Sequence, residues 1–234
     1  MSSPVLIGAS AGVLASAAGS MAWAVRGRSS RIFAPSIYRG NRARKAVALT
    51  FDDGPSESTP ALLEILAEHN VPATFFMCGQ NVRRCAKIAR EVAAAGHEIG
   101  NHTDSHPRFD FRSPEFIYGE LAVAQETIRT VTGRTPTLFR APYGIRWFGL
   151  RHAQRRLALL GVMWTVIAHD WRWPARRISR LLLRRASNGA ILCLHDGRLL
   201  ERTPDIRPTL DAVAYVIPIL KERGFEFETV SRIL

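Results

Sequence analysis

The 234-residue sequence predicts an α/β fold, a distorted seven-stranded parallel barrel with an apolar helix ahead of it. Three observations predict it. Strand-like and helix-like stretches alternate from residue 46 onward, which calls for right-handed crossovers and a parallel sheet. Titratable groups recur at the C-terminal ends of five of these strands, and in a parallel α/β barrel those ends share the face where sites are built. No internal repeat, low-complexity tract or second domain breaks the alternation, and 47% hydrophobic with 22% charged residues is enough to fill one sizeable core.

In chain order, Pro4 to Val25 carries no charge and is rich in Ala, Gly, Ser, Val and Leu. Its length suits a bilayer span, which takes ~20 apolar residues. A cleaved signal peptide, with Ala22-Trp23-Ala24 as the cleavage triplet, and a buried helix are the rivals. Met1-Ser2-Ser3 lacks the basic opening of a signal peptide, so residues 1–25 are expected to be an uncleaved membrane anchor. Residues 26–44 hold Arg26, Arg28, Arg31, Arg39, Arg42 and Arg44 with no acid, and Lys45 follows. They read as a basic linker that could lie on anionic headgroups. Residues 45–234 are expected to form the main globular domain.

Within that domain the strands are expected at Ala46–Phe51, Ala73–Cys78, Glu98–Asn101, Thr137–Arg140, Val162–Ile167, Ala190–Leu194 and Glu226–Val230. They are runs of β-branched, aromatic and small apolar residues without breakers. The helices between them are Thr59–His69, Gln80–Ala95, Pro114–Val131, Phe148–Leu160, Ala175–Ala186 and Pro208–Arg223. Ser113-Pro114 opens one with a cap and a first-turn proline, and Gly96, Gly133, Gly161 and Gly224 close four.

The net charge of +12 suits a polyanionic surface, such as a membrane face or an anionic wall polymer. No nucleic-acid module is present, so nucleic acid is not an expected partner. Cys78, Cys85 and Cys193 are too scattered for a disulfide framework and read as small buried hydrophobes.

The chemistry starts at Thr50-Phe51-Asp52-Asp53-Gly54-Pro55. Two adjacent carboxylates at the tip of a buried strand require a cation beside them or a proton on one of them. After the third strand, Asn101-His102-Thr103-Asp104-Ser105-His106 places two histidines four apart, on one face of a helical turn, where they can share a metal. Asp53 with His102 and His106 makes three protein ligands with open positions, the pattern of a catalytic rather than a structural metal site. The fourth strand ends in Arg140-Ala141-Pro142-Tyr143-Gly144, the fifth in His169-Asp170-Trp171 and the sixth in His195-Asp196-Gly197. Singly, each motif has a plain structural explanation. Their coincidence on one barrel face is the functional signal.

Together these motifs resemble the polysaccharide deacetylases of carbohydrate esterase family four, which includes chitin, chito-oligosaccharide and peptidoglycan N-deacetylases. The likeness runs from about Lys45 to Leu234. Thr-Phe-Asp-Asp-Gly and Asn-His-Thr-x-x-His are its most specific motifs, followed by Arg-x-Pro-Tyr. It implies a distorted barrel and a divalent metal, zinc for preference and cobalt as the alternative. Asp53, His102 and His106 match the metal ligands. Asp52 matches the general base that takes a proton from the attacking water, and Arg140 the arginine paired with it. His195 matches the general acid that protonates the leaving amine, and Asp170 the carboxylate that orients it. The Tyr143 backbone N–H matches an oxyanion donor, and Trp171 a wall of the acetyl pocket. Two positions depart from the family's pattern: Ile167 stands where an acid is frequent, and Cys193 stands at a pocket position where leucine is frequent. His69, His97, His152 and His169 match no motif.

The implied reaction is removal of N-acetyl groups from a GlcNAc-containing glycan. A deacylase or deformylase of a lipid-linked aminosugar, and a catalytically dead glycan-binding protein, are the alternatives. The two arguments on location conflict. The Arg-rich flank after the apolar segment places the barrel in the cytoplasm, whereas polymeric GlcNAc substrates place it outside. The expectation is an extracytoplasmic barrel on one N-terminal anchor. Oligomeric state is not legible in the sequence.

Overall fold

The computed structural model of the chain describes residues 16–234. Residues 16–26 are helical (α1). There follow β1 (Ser36–Ile37), β2 (Ala46–Asp52), α2 (Thr59–Glu68), β3 (Thr74–Met77), α3 (Gly79–Arg84), α4 (Ala86–Ala94), β4 (Glu98–Asn101), α5 (Pro114–Thr132) and β5 (Leu138–Phe139). A 3₁₀ turn (Pro142–Gly144) leads to α6 (Leu150–Leu157), β6 (Leu160–Val162), β7 (Val166–Ile167), α7 (Ala175–Arg185), β8 (Ala190–His195), α8 (Arg207–Glu222), β9 (Glu226–Phe227) and α9 (Val230–Ile233).

The strands form one sheet in the order β1-β6-β5-β4-β3-β2-β8-β7, with β9 paired to the start of β2, and all these pairings are parallel. The distorted barrel is as expected, with nine strands among the described residues rather than seven. One extra strand, β1, lies in the supposed linker. The other comes from the stretch Val162–Ile167, which is broken. Its first part pairs with β5 and β1, and its second part pairs with β8, so this single stretch joins both ends of the sheet. The helix expected at Gln80–Ala95 also breaks in two, at Cys85 (φ −116°, ψ 45°).

Period-two alternation sorts the strand residues into two layers. From β2, Val47, Leu49 and Phe51 pack outward against the helices, with Leu62 and Leu66 of α2 and Val213, Val216 and Ile217 of α8. Ala46 and Ala48 face the barrel interior with Phe76, Leu138, Val162 and Ile191, which Val230 and Ile233 of α9 close from below. On this inner face Thr50 and Asp52 of β2 continue upward, beside Cys193 and His195 of β8 in direct register. The fold thus carries an apolar floor and a polar upper story along the same strands.

Residues 26–44 are not a free tether. Phe33 and Ala34 are buried in a third cluster with Phe139, Ile145 and Leu150, and β1 pairs with β6. The buried Arg146 fixes the segment by donating to the Gly27 and Ser30 carbonyls and to Ser36 Oγ. The expected membrane anchor over Pro4–Val25 falls mainly on residues 1–15, which lie outside the described residues. Among the described residues no helix is long and apolar enough to cross a membrane, so the anchor finds no support. Ala24 and Val25 instead pack on the barrel. All three cysteines are free and buried.

Candidate active site

The site lies at the C-terminal ends of the strands. Asp52 ends β2 with its side chain inward, and the bend after it turns Asp53 to the same face with φ 70°. Thr103, His106, Tyr143 and His169 also take positive φ, at 69°, 56°, 57° and 53°. Non-glycine residues held there are strained, and such strain collects where surrounding structure fixes a functional loop. Gly197 makes one close approach feasible, since a Cβ there would sit 2.4 Å from the Asp53 carbonyl oxygen.

Asp53 Oδ1 lies 3.2 Å from His102 Nε2 and 3.0 Å from His106 Nε2, all three residues being buried. His102 Nδ1 is 2.8 Å from the Arg140 carbonyl, which only accepts, so Nδ1 is the donor and Nε2 is the nitrogen that faces Asp53. Asp53 Oδ2 accepts from the Leu199 N–H (2.8 Å), while the buried Oδ1 has no hydrogen-bond donor. An orphaned carboxylate oxygen and two ring nitrogens, converging within 4.8 Å of one another, fit a divalent cation with open coordination positions.

The two histidines do not sit on a helical turn as expected. Residues 102–107 form an irregular loop, held by short polar side chains. Asn101 Oδ1 accepts from the Thr103 N–H, Thr103 Oγ1 from the His106 N–H, and Glu120 of α5 from the N–H groups of Asp104 and Ser105.

Asp52 is buried against Arg140, whose Nη1 donates to Asp52 Oδ1 (2.6 Å) and to Thr50 Oγ1 (2.8 Å). Nε donates to the Val162 carbonyl (3.2 Å) and Nη2 to that of Met163 (3.3 Å). The guanidinium carbon lies 4.1 Å from the Phe76 ring centroid. This fully buried cation is therefore held by one carboxylate, two carbonyls, a hydroxyl and an aromatic face. Cys193 Sγ, 3.4 Å from Asp52 Oδ2, donates to the second carboxylate oxygen.

Across the mouth His195 Nδ1 is 2.8 Å from Asp170 Oδ1, and Asp170 Oδ2 accepts from the His195 N–H (2.8 Å) and from Thr209 Oγ1 (2.7 Å). Burial works to lower the His195 pKa, but the Asp170 charge and hydrogen bond prevail, and the ring is pushed up to about 9. Burial likewise pushes Asp170 up, and the His195 charge more than offsets it, so the carboxyl stays below its ordinary value. The Trp171 ring stands edge-on to His195 at 4.8 Å, and Tyr143 does the same to His106 at 4.8 Å. Both are nearly half exposed and flank the opening. Asp52, Cys193 and His195 present polar atoms within 4.8 Å of one another.

The structure therefore brings all ten expected residues to one face. It adds residues the sequence reading missed. Asn81 Nδ2 donates to the carbonyls of Asp53 (2.7 Å) and Leu199 (2.9 Å), tying two site loops together. Buried Asp196 accepts from Thr59 Oγ1 (2.7 Å), and burial drives its carboxyl up to about 7. A signal for Asp196 was present, because Asp196-Gly197 after β8 repeats Asp53-Gly54 after β2.

A parallel α/β barrel with one carboxylate–histidine–histidine cluster, an Arg-paired carboxylate and a carboxylate-paired histidine has the make-up of a hydrolase site with a group that could hold a metal. The comparisons specify the family. A polysaccharide deacetylase family model matches residues 39–162. A chitooligosaccharide deacetylase of Bradyrhizobium sp. is 36% identical over 198 residues, covering 81% of this chain and 90% of its own. The solved structure of the Bc1960 peptidoglycan N-acetylglucosamine deacetylase has 32% identity and a TM-score of 0.79, covering 84% of this chain and 91% of that one. A family-four pseudoenzyme from Bacillus anthracis has 29% identity and a TM-score of 0.78, covering 87% and 70%. The chain belongs to the polysaccharide deacetylase family, hydrolases acting on carbon–nitrogen bonds other than peptide bonds.

Proposed function

We propose that the chain is a metal-dependent N-deacetylase of GlcNAc-containing oligosaccharide or polysaccharide, of the chitin or peptidoglycan type. The observation that carries this reading is the separate engagement of two proton-transfer groups around one cation site. Asp52 is anchored by Arg140, and His195 is charged by Asp170. Asp53, His102 and His106 would hold the divalent ion, zinc before cobalt on this donor set. When bound, the ion supplies Lewis acidity at the acetyl carbonyl and lowers the pKa of water.

The protein's own groups do the rest. Asp52, fixed by Arg140, takes the proton from the attacking water as general base. His195, whose Nδ1–H is held by Asp170, presents Nε2–H to the amide nitrogen and protonates the departing amine. The Tyr143 N–H, in the strained turn over the site, donates to the developing oxyanion. Trp171 and Cys193 bound the space for the acetyl methyl group.

The resemblance to a pseudoenzyme raises the glycan-binding alternative, but binding alone needs neither a buried Asp52–Arg140 pair nor a charged His195. The test is incubation with chitin oligomers, peptidoglycan and lipid-linked aminosugars, with products followed by mass spectrometry. Loss of one acetyl mass per turnover from a GlcNAc glycan is expected, on the outer side of the membrane where such polymers lie. Turnover of the lipid-linked sugar alone would move the substrate to the carrier lipid, and binding without any mass change would sink the enzymatic reading.

A further inference from the structure

The loops that carry His106 and Tyr143 run on into a cluster of exposed apolar side chains. Phe111 is 86% exposed, Phe148 58%, Ile32 56% and Trp23 50%. The first two belong to one chain of rings: Phe111 lies 5.0 Å from Trp147, Trp147 5.3 Å from Phe148, and Phe148 4.7 Å from Phe33. Phe111 has φ 62°, a costly conformation for a bulky residue, so its loop is built to hold the ring outward. A joined patch of large apolar groups beside an active site marks a contact surface.

Helix α1 is seated in the same patch. Ala24 and Val25 share the buried cluster of Phe33 and Ile145, and the Arg146 N–H donates to the Val25 carbonyl (3.0 Å). Residues 16–23, just before, are exposed without exception and carry no charge. Arg26, Arg31, Arg112 and Arg151 are exposed around the patch, and Arg151 donates to the Arg31 and Ile32 carbonyls. Of the acids nearby, Asp110 is already paired with Arg108. Exposed aromatic tips, an uncharged helix and a rim of arginines make up an interfacial surface, apolar groups entering the headgroup layer and cations meeting its phosphates. A neutral glycan has no use for the arginine rim or the bare helix.

We propose that this patch rests on an anionic phospholipid bilayer, with Phe111, Phe148, Ile32 and Trp23 in the interfacial layer. The opening flanked by Tyr143 and Trp171 is thereby held next to the membrane surface. The proposal concerns orientation and is independent of which amide the site cleaves.

The test uses the full chain with an environment-sensitive fluorophore on Phe111→Cys, the native cysteines being buried. The control carries it on Tyr215→Cys, exposed on α8. With vesicles of phosphatidylcholine and phosphatidylglycerol in equal parts, the probe at 111 should shift to the blue and the probe at 215 should not. Vesicles of phosphatidylcholine alone should give a much weaker response. Arg31→Ser with Arg112→Ser should lower affinity about 30-fold, from the ~1 kcal/mol each basic residue contributes at an anionic surface. A water-like probe at 111 on vesicle-bound protein, equal shifts at both positions, or a response at 111 to GlcNAc oligomers but not to vesicles would each overturn the proposal. Deacetylation of soluble oligomers, assayed in parallel, reports on the chemistry and leaves the orientation result standing.

Discussion

Asp170 grips His195 twice with one carboxylate, Oδ1 at the ring Nδ1 and Oδ2 at the backbone N–H, both at 2.8 Å. The ring therefore cannot turn without losing its counter-charge, and its Nε2 is aimed at the site. The pair raises the ring to about 9. In the proposed acid role His195 works protonated, so it should set the alkaline limb of the pH–rate profile. A cation on Asp53 lowers that limb, and loss of the Asp170 charge lowers it further. Asp170→Asn should thus move the alkaline limb downward at constant metal content and cut kcat by ~10²-fold. An alkaline limb that stays in place would remove His195 from the acid role.

The same pair has a signature in stability. A raised histidine stabilises the fold fully below its ordinary value of 6.5 and loses that contribution as pH rises through about 9. A depressed Asp170 contributes above its ordinary value of 3.8 and loses it as pH falls further. In metal-stripped protein the Tm difference between wild type and Asp170→Asn should be greatest between these two ordinary values and shrink on either side. A difference that is flat with pH would show that packing, not charge, holds this carboxylate.

Asp52 and Asp53 are neighbours with separate proposed tasks, and substitution should separate them. Asp52→Asn should keep the bound metal and lose kcat by ~10²–10⁴-fold. It also leaves the buried Arg140 without its carboxylate, so about 3 kcal/mol or more of stability should go with it. Metal content by elemental analysis decides the assignment, since metal lost from Asp52→Asn would mean that the two roles are exchanged.

Asp53→Ala, His102→Ala and His106→Ala should each lose metal and activity together. Three protein ligands leave the ion open to chelators, so dialysis against a chelator should abolish turnover, and zinc or cobalt should restore it in the wild type. Full turnover by protein shown to be metal-free would end the mechanism proposed above.

Most strands of this molecule were legible, and the exceptions have physical reasons. β2 and β8 are uninterrupted apolar runs buried on both faces, and such runs declare themselves. β5, β7 and β9 are only two residues long yet fall inside expected strands, whereas the two-residue β1, paired with β6 far along the chain, was missed. No local pattern separates Ser36–Ile37 from a linker when Arg146, more than a hundred residues away, ties it down. The site was more legible than the fold, because Asp53, His102, His106, Asp170 and His195 end recognisable strands. The His102–His106 loop was misread because the spacing suits a helix, while Asn101 and Thr103 bond the backbone into a different turn. Asn81 and Thr209 were missed because they act on carbonyls and a carboxylate that only the folded chain brings near.

Arg140 gives the last prediction. Its guanidinium spends separate N–H groups on Asp52, Thr50, Val162 and Met163, and its face on Phe76. A lysine ammonium keeps the charge but has three donors on a flexible stem and no planar face. Arg140→Lys should therefore leave the Val162 or Met163 carbonyl unpaired, at ~1–3 kcal/mol for a buried acceptor, and let Asp52 drift from the attacking water. The expected result is a lowered Tm, unchanged metal content and a fall in kcat greater than any rise in KM. Arg140→Met removes the charge as well, and should cost more stability than the lysine variant because Asp52 is then buried with no cation beside it. Equal stability of the two variants would mean that the charge of Arg140 contributes nothing to holding Asp52, and that the hydrogen-bonded framework alone positions the base.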